Sequence, residues 1–194
     1  NLPGAKADAD LVQEDFVYHA TASTSAARRN NRIYQQNNSG ESVSVGATYR
    51  NVTLAGAPDP RVPVEDQDDL ASDQSTPLWF QLKYGGLTAP TPIATGIEAR
   101  LILAEALGGA AGIAILEELR ADHGLAPLTV AEIADFEGTL IEERRRWLWL
   151  QGNRWYDINR FNLPQFPVAG TDYAKGGEYG TQRCWPLPDV EKLS

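Results

Sequence analysis

A change of pattern near residue 95 constrains this chain more than any other feature. Before it, Asn, Ser, Thr, Asp, Gly and Pro are dense and no apolar period is sustained. Asn30-Asn31, Asn37-Asn38-Ser39-Gly40 and Ala57-Pro58-Asp59-Pro60 read as turns or loops. Short polar side chains there bond to nearby backbone, and Gly and Pro free or fix φ. Ser42-Val43-Ser44-Val45 alternates too briefly for more than a short strand. The acidic run from Asp66 to Asp73 reads as surface loop. Trp79-Phe80-Gln81-Leu82-Lys83-Tyr84 is the one aromatic-dense stretch, closed by Gly85-Gly86.

From Thr95 the pattern turns helical. Ile97, Leu101 and Ala104 recur at helical spacing among good helix formers, and Gly108-Gly109 breaks the run. A second helix is expected from Ala111 to His123, with Ile113, Leu116 and Leu119 on one side. Gly124 is its natural stop and Pro127 follows. Two such helices joined by a glycine turn make an αα-hairpin. Thr129-Val130-Ala131-Glu132 reads as the capping box of a third helix, with Ile133, Phe136, Leu140 and Trp147 along one face. Gly138 and Gly152 are the expected weak points, the second just before Asn153 to Phe161.

Composition narrows the function. Acidic side chains outnumber basic ones 26 to 17, for a formal charge of -9. Such a surface repels nucleic acid, and the one dense basic run, Arg144-Arg145-Arg146, follows Glu142 and Glu143 directly. No run of about 18 apolar residues spans a membrane. His19 and His123 lack metal spacing, the single Cys184 sits beside Trp185-Pro186 as a packed residue would, and no cofactor is expected. HExxH, GxSxG, P-loop and dinucleotide patterns are absent.

Three stretches resemble the SusD/RagB family of outer-membrane nutrient-binding lipoproteins. The strongest runs from Glu143 through Arg144, Arg145, Arg146 and Trp147, then Gln151-Gly152, to Arg154-Trp155-Tyr156-Asp157-Ile158-Asn159-Arg160-Phe161. It is similar to the family's ERRxEL helix and HRWxDLxR segment. Trp147 and Gln151 stand where the family has glutamates, and Asn153 where it has histidine. The second is Ala99 to Leu125, carried by Ala104-Glu105-Ala106 and Leu119-Arg120-Ala121-Asp122-His123-Gly124-Leu125. The third pairs Asp59-Pro60-Arg61-Val62 with Trp185-Pro186-Leu187-Pro188.

The resemblance implies a mainly α fold with TPR-like helix pairs and a loop-rich irregular segment. Residues 1–95 would form that segment and residues 96–194 the C-terminal helical region, together one domain of a longer protein. It further implies non-catalytic binding of an oligosaccharide, or less often a peptide, at the outer-membrane cell surface. The ligand would pass to a SusC-like TonB-dependent transporter, with a lipid anchor absent from this chain. On this reading Glu143, Arg144, Arg145, Arg154, Trp155, Asp157 and Arg160 are structural, since arginine forks suit carboxylates and helix-end carbonyls. Sugar binding needs aromatic faces beside amides, and Tyr34, Asn37, Asn38, Trp79 and Tyr84 are the candidates in the loop half. A polysaccharide-degrading fragment and a helical-repeat interaction scaffold remain as alternatives.

Overall fold

The computed structural model describes residues 2–173 and 176–182, in two compact units, Asn1–Arg154 and Trp155–Ser194. The Trp185-Pro186-Leu187-Pro188 motif and Cys184 lie outside the described residues.

The first unit opens with helix α1 (Leu2–Ala9) and strand β1 (Val17–Ala20). β1 pairs antiparallel with β6 (Thr91–Thr95), Val17 opposite Thr95 and Ala20 opposite Thr91. The ladder closes the base of a long irregular excursion. Within the excursion, the turn α2 (Arg32–Tyr34) widens into a π-helical turn over Gln35–Ser39. Two hairpins follow, β2 (Thr53–Leu54) with β3 (Ala57–Pro58) and β4 (Val64–Leu70) with β5 (Pro77–Gln81). The helical half carries α3 (Gly96–Leu107), α4 (Gly109–Asp122), α5 (Val130–Ala134) and α6 (Phe136–Trp147). Helix α7 (Arg154–Arg160) begins at the boundary between the units. In the second unit, Asp172 and Glu178 form a β-bridge and the Tyr173 and Tyr179 rings meet edge to face at 5.2 Å.

Helix α3 is apolar nearly all round because it is covered on two sides. Leu101 and Ala104 join Ile113, Leu116 and Leu119 of α4, Leu140 of α6, and Leu128 and Leu148 in the main core. Ala99 and Leu103 pack instead against Ala9 of α1. Thr95 starts the helix by accepting the Glu98 N–H on its hydroxyl at 3.0 Å. Gly108 and Gly109, at φ +66° and +48°, make the reversal into α4 that residues with a Cβ rarely adopt. Where α4 crosses α3, the backbones approach so closely that a Cβ on Gly112 would lie 2.5 Å from the Ala104 carbonyl oxygen and 2.4 Å from the Phe136 ring. Gly112→Ala is therefore expected to lower stability by about 1–3 kcal/mol, the usual cost of overpacking a fitted core. A urea-melt midpoint equal to that of the parent chain would refute this close approach.

Several expectations are corrected. The fold is mixed rather than mainly α: three two-stranded ladders accompany the helices among the described residues. The acidic run does not form a loop throughout, because Val64–Leu70 is a strand whose carboxylates face solvent. Ser42–Val45 is not a strand; it lies alongside β5, the Val45 N–H donating to the Trp79 carbonyl. α4 starts at Gly109, two residues earlier than Ala111. The third helix breaks at Asp135 rather than at Gly138. Asp135 caps α6 by accepting the Gly138 N–H at 3.0 Å, and its carboxylate occupies the space a Cβ on Gly138 would need. Ile133, placed by that break on the short α5, is 44% exposed instead of lying on the buried face.

Candidate functional site

Residues from each of the three sequence stretches described above meet in one buried ion network of the first unit. Asp59 and Arg61 come from the segment after β3, Arg120 from α4, and Glu143 and Arg146 from α6. Arg61 grips Asp59 with a two-pronged contact, Nε to Oδ1 at 3.0 Å and Nη2 to Oδ2 at 2.7 Å. The third nitrogen of Arg61 donates to Glu143 Oε2 at 2.6 Å. Arg120 takes the other oxygen, Nη2 to Glu143 Oε1 at 2.7 Å, and the same nitrogen reaches Glu132 Oε1 at 2.7 Å. Arg146 donates to Asp59 Oδ2 at 2.8 Å and Trp147 Nε1 to Glu143 Oε2 at 3.1 Å. The Arg61 guanidinium also stacks 5.1 Å over the Trp147 ring. Asp59, Arg120 and Glu143 are at most 1% exposed. Charges this deep persist only when paired and bonded on every side, which the alternation of three acids and three arginines provides.

The network sets its own protonation. Burial would push Asp59 up, but hydrogen bonds from Arg61 and Arg146 outweigh it and hold the carboxyl at about 2. Glu132 behaves alike: burial raises it, and the Thr129 N–H with Arg120 brings it down to about 2. At neutral pH both are acceptors only. Asp59 has no proton to give, and its oxygens are already occupied.

Arg146 also donates to Glu142 at 2.7 Å, which extends the network to a more exposed pair: Arg145 meets Glu142 at 2.7 Å and lies 4.9 Å over the Tyr49 ring. Burial raises the Tyr49 pKa despite the nearby charges of Arg154 and Arg145. Arg144 is buried, at 6% exposure. In the second unit, Asp157 is buried, Arg160 donates to it at 3.2 Å and stacks over Phe161, and Trp155 is about one-third exposed. The sequence marks Glu132 as the glutamate of a capping box, which it is, but gives no role to Asp59, Arg61 or Arg120. The Asp59-Pro60-Arg61 spacing, which lets one guanidinium return to the carboxylate two residues back, was the available signal.

Beside Asp59 the first unit carries a groove of about 340 Å³. Trp79, Leu82, Val64, Pro58 and Pro60 give it apolar walls, and Asn51 adds an amide. Asp59 forms part of its lining, so the ion network adjoins it. Trp79 packs against Val45, Val62 and Trp149, and the Arg50 guanidinium lies 5.7 Å from its ring centroid.

Of the five ligand candidates, Trp79 lines the groove and four do not. Asn37 is buried, donating to the Val43 and Trp79 carbonyls at 2.7 and 2.9 Å and accepting the Gln81 N–H at 2.7 Å. Asn38 donates to the Gln81 carbonyl and accepts from the Gln81 side chain. Both amides thus stitch the π-turn to β5. Tyr84 is 4% exposed and donates its hydroxyl to the Leu150 carbonyl at 3.0 Å, and burial pushes its pKa up to about 12. Beside it Lys83 donates to the Trp149 carbonyl at 2.6 Å, with burial lowering its pKa to about 8. Tyr34 is half-buried at the end of α2. No group of three or more His, Cys, Asp or Glu arranged for a metal occurs among the described residues.

No family model matches the chain, and no curated protein sequence matches it. Among solved structures, it is similar to a SusD-like carbohydrate binding protein from Bacteroides vulgatus ATCC 8482, with a TM-score of 0.60 and 17% identity. The match covers 99% of this chain and 54% of the other, so the chain spans about half the length of the structure it matches. From its irregular excursion to its helix pairs, the chain has the SusD-like fold.

Proposed function

We propose that this chain belongs to a capture protein that binds a carbohydrate without cleaving it, with the groove beside Trp79 as a contact surface. The observation that carries this reading is the fold likeness, along nearly the whole chain, to a protein described as carbohydrate binding. The groove adds chemical support. An indole wall with an amide beside it offers stacking for a sugar ring and hydrogen bonds for its hydroxyls. The most deeply placed carboxylates, Asp59 and Glu143, are saturated by arginine, which favours binding over acid–base chemistry. In the intact protein, the ligand would be held at the outer-membrane surface and handed to a SusC-like TonB-dependent transporter.

An array of neutral, aminated, uronic-acid and sulfated oligosaccharides, together with short peptides, tests this. The chain is expected to retain a subset of glycans. Trp79→Ala should weaken them about thirtyfold, the scale for loss of an aromatic anchor, while Trp79→Phe restores part of the binding. Retention of peptides alone, or release of shortened products from any glycan, would overturn the reading.

A further inference from the structure

The β4–β5 ladder places an acidic side chain beside the indole of the groove. Asp66 is the cross-strand partner of Trp79, and Val64 that of Gln81. Directly opposed residues of an antiparallel pair project to the same face, as do alternate residues along one strand. Asp66 therefore shares the face of Val64 and Trp79, both of which line the groove. The ladder's register shifts just beyond it, and Asp68 adopts φ +51°. That bend turns the Asp68 N–H back onto Asp66 Oδ1 at 3.1 Å. Asp66 is exposed, and its second oxygen, Oδ2, makes no hydrogen bond among the described residues.

We infer that Asp66 and Trp79 form one subsite selective for uncharged or aminated sugar rings, with uronic acids and sulfated sugars excluded. The inference rests on the proposed carbohydrate-binding reading. A ring packed on the indole presents hydroxyls at its edge, and a fixed carboxylate oxygen accepts from them more strongly than a neutral acceptor would. An amino group gains an ion pair as well. A carboxylate or sulfate on the ring is repelled by Asp66, with the exposed Asp68 two residues further along the strand. The Arg50 guanidinium, 5.7 Å from the Trp79 ring centroid, is turned to the Val45 and Pro77 carbonyls and the Ser44 hydroxyl. Asp59 does not add to this field, because Arg61 and Arg146 neutralise it.

The test compares pairs of equal backbone that differ in charge, by calorimetric titration of the chain. Chitin hexaose and chitosan hexaose form one pair; fully methyl-esterified and de-esterified oligogalacturonides form the other. Whichever pair the array retains, the uncharged or aminated members should bind and the de-esterified one should not. Asp66→Ala should weaken the neutral ligand about tenfold, the scale of one hydrogen bond to a charged group. Asp66→Asn should admit the de-esterified oligomer while leaving the melting temperature unchanged. Glycan binding that ignores ligand charge, or an unaltered preference in Asp66→Asn, defeats the subsite and leaves the carbohydrate reading standing. If none of the glycans on the array or among these probes binds, the carbohydrate reading fails and the subsite with it.

Discussion

Glu143→Ala is expected to cost about 3–5 kcal/mol, the range for removing one partner of a buried ion pair. Glu143 is the shared acceptor of Arg61 and Arg120, two guanidinium groups that are nearly sealed from water. Its loss leaves them with one carboxylate each, Asp59 and Glu132, and with unmatched positive charge between them. Trp147 Nε1 loses its acceptor as well. Neither arginine can escape by deprotonating, because guanidinium remains charged at any ordinary pH. Whole domains are stable by only about 5–15 kcal/mol, so this single change consumes a large share of the margin. Glu143→Gln keeps the shape and one acceptor oxygen but loses the charge and sets an amide N–H group against the donors on the other side, and should fall between parent and alanine variant. Chemical denaturation of all three checks the order. A Glu143→Ala midpoint within error of the parent would mean that the network contributes nothing.

Acid should dismantle the same network. Asp59 and Glu132 both titrate at about 2 in the folded chain, against ordinary values of 3.8 and 4.5. Groups lowered in this way stabilise the fold fully above their unfolded pKa, and the contribution disappears as pH falls through the folded one. The window therefore runs from about pH 4.5 down to about pH 2. Asp59 alone contributes roughly 2 kcal/mol on this basis. Glu132 is about one-third exposed, so solvent screens it and roughly another 2 kcal/mol is a fair figure. Urea midpoints measured from pH 6 to pH 2.5 should decline steeply below pH 4.5, and the decline should flatten in Glu132→Gln. A level profile across that window would contradict the pairing.

What could be read in advance, and what could not, follows from how local each signal is. The α3–α4 hairpin was legible because its parts are neighbours in sequence: an apolar stripe, then Gly108-Gly109, then a stripe ending at Gly124. The break at Asp135 escaped because a capping aspartate competed with the apparent continuity of the apolar face. β4 was missed for the opposite reason. Its charges signal loop, and only pairing with β5 reveals a strand. Asn37 and Asn38 carried the composition expected of a sugar contact, yet their amides are occupied by backbone and side chain of residues 79 and 81. Trp79, chosen on the same grounds, does line the groove, and nothing in its local sequence separates it from Tyr84, which is buried.

By itself the sequence determined the elements set by neighbouring residues. These are the helix starts at Thr95 and Thr129, the glycine reversal, and a loop half too polar to form a core of its own. Tertiary structure alone decided where the charges went. Glu132 completes a capping box whether or not the rest of the chain is present, but its second oxygen serves Arg120 only once α4 lies alongside. Asp59 and Glu143, 84 residues apart in the numbering, share Arg61 because folding expels the water that would otherwise solvate each of them. Local order depends on dihedral preferences and short-range hydrogen bonds. The pairing of distant charges depends on desolvation, which does not act until the elements have packed.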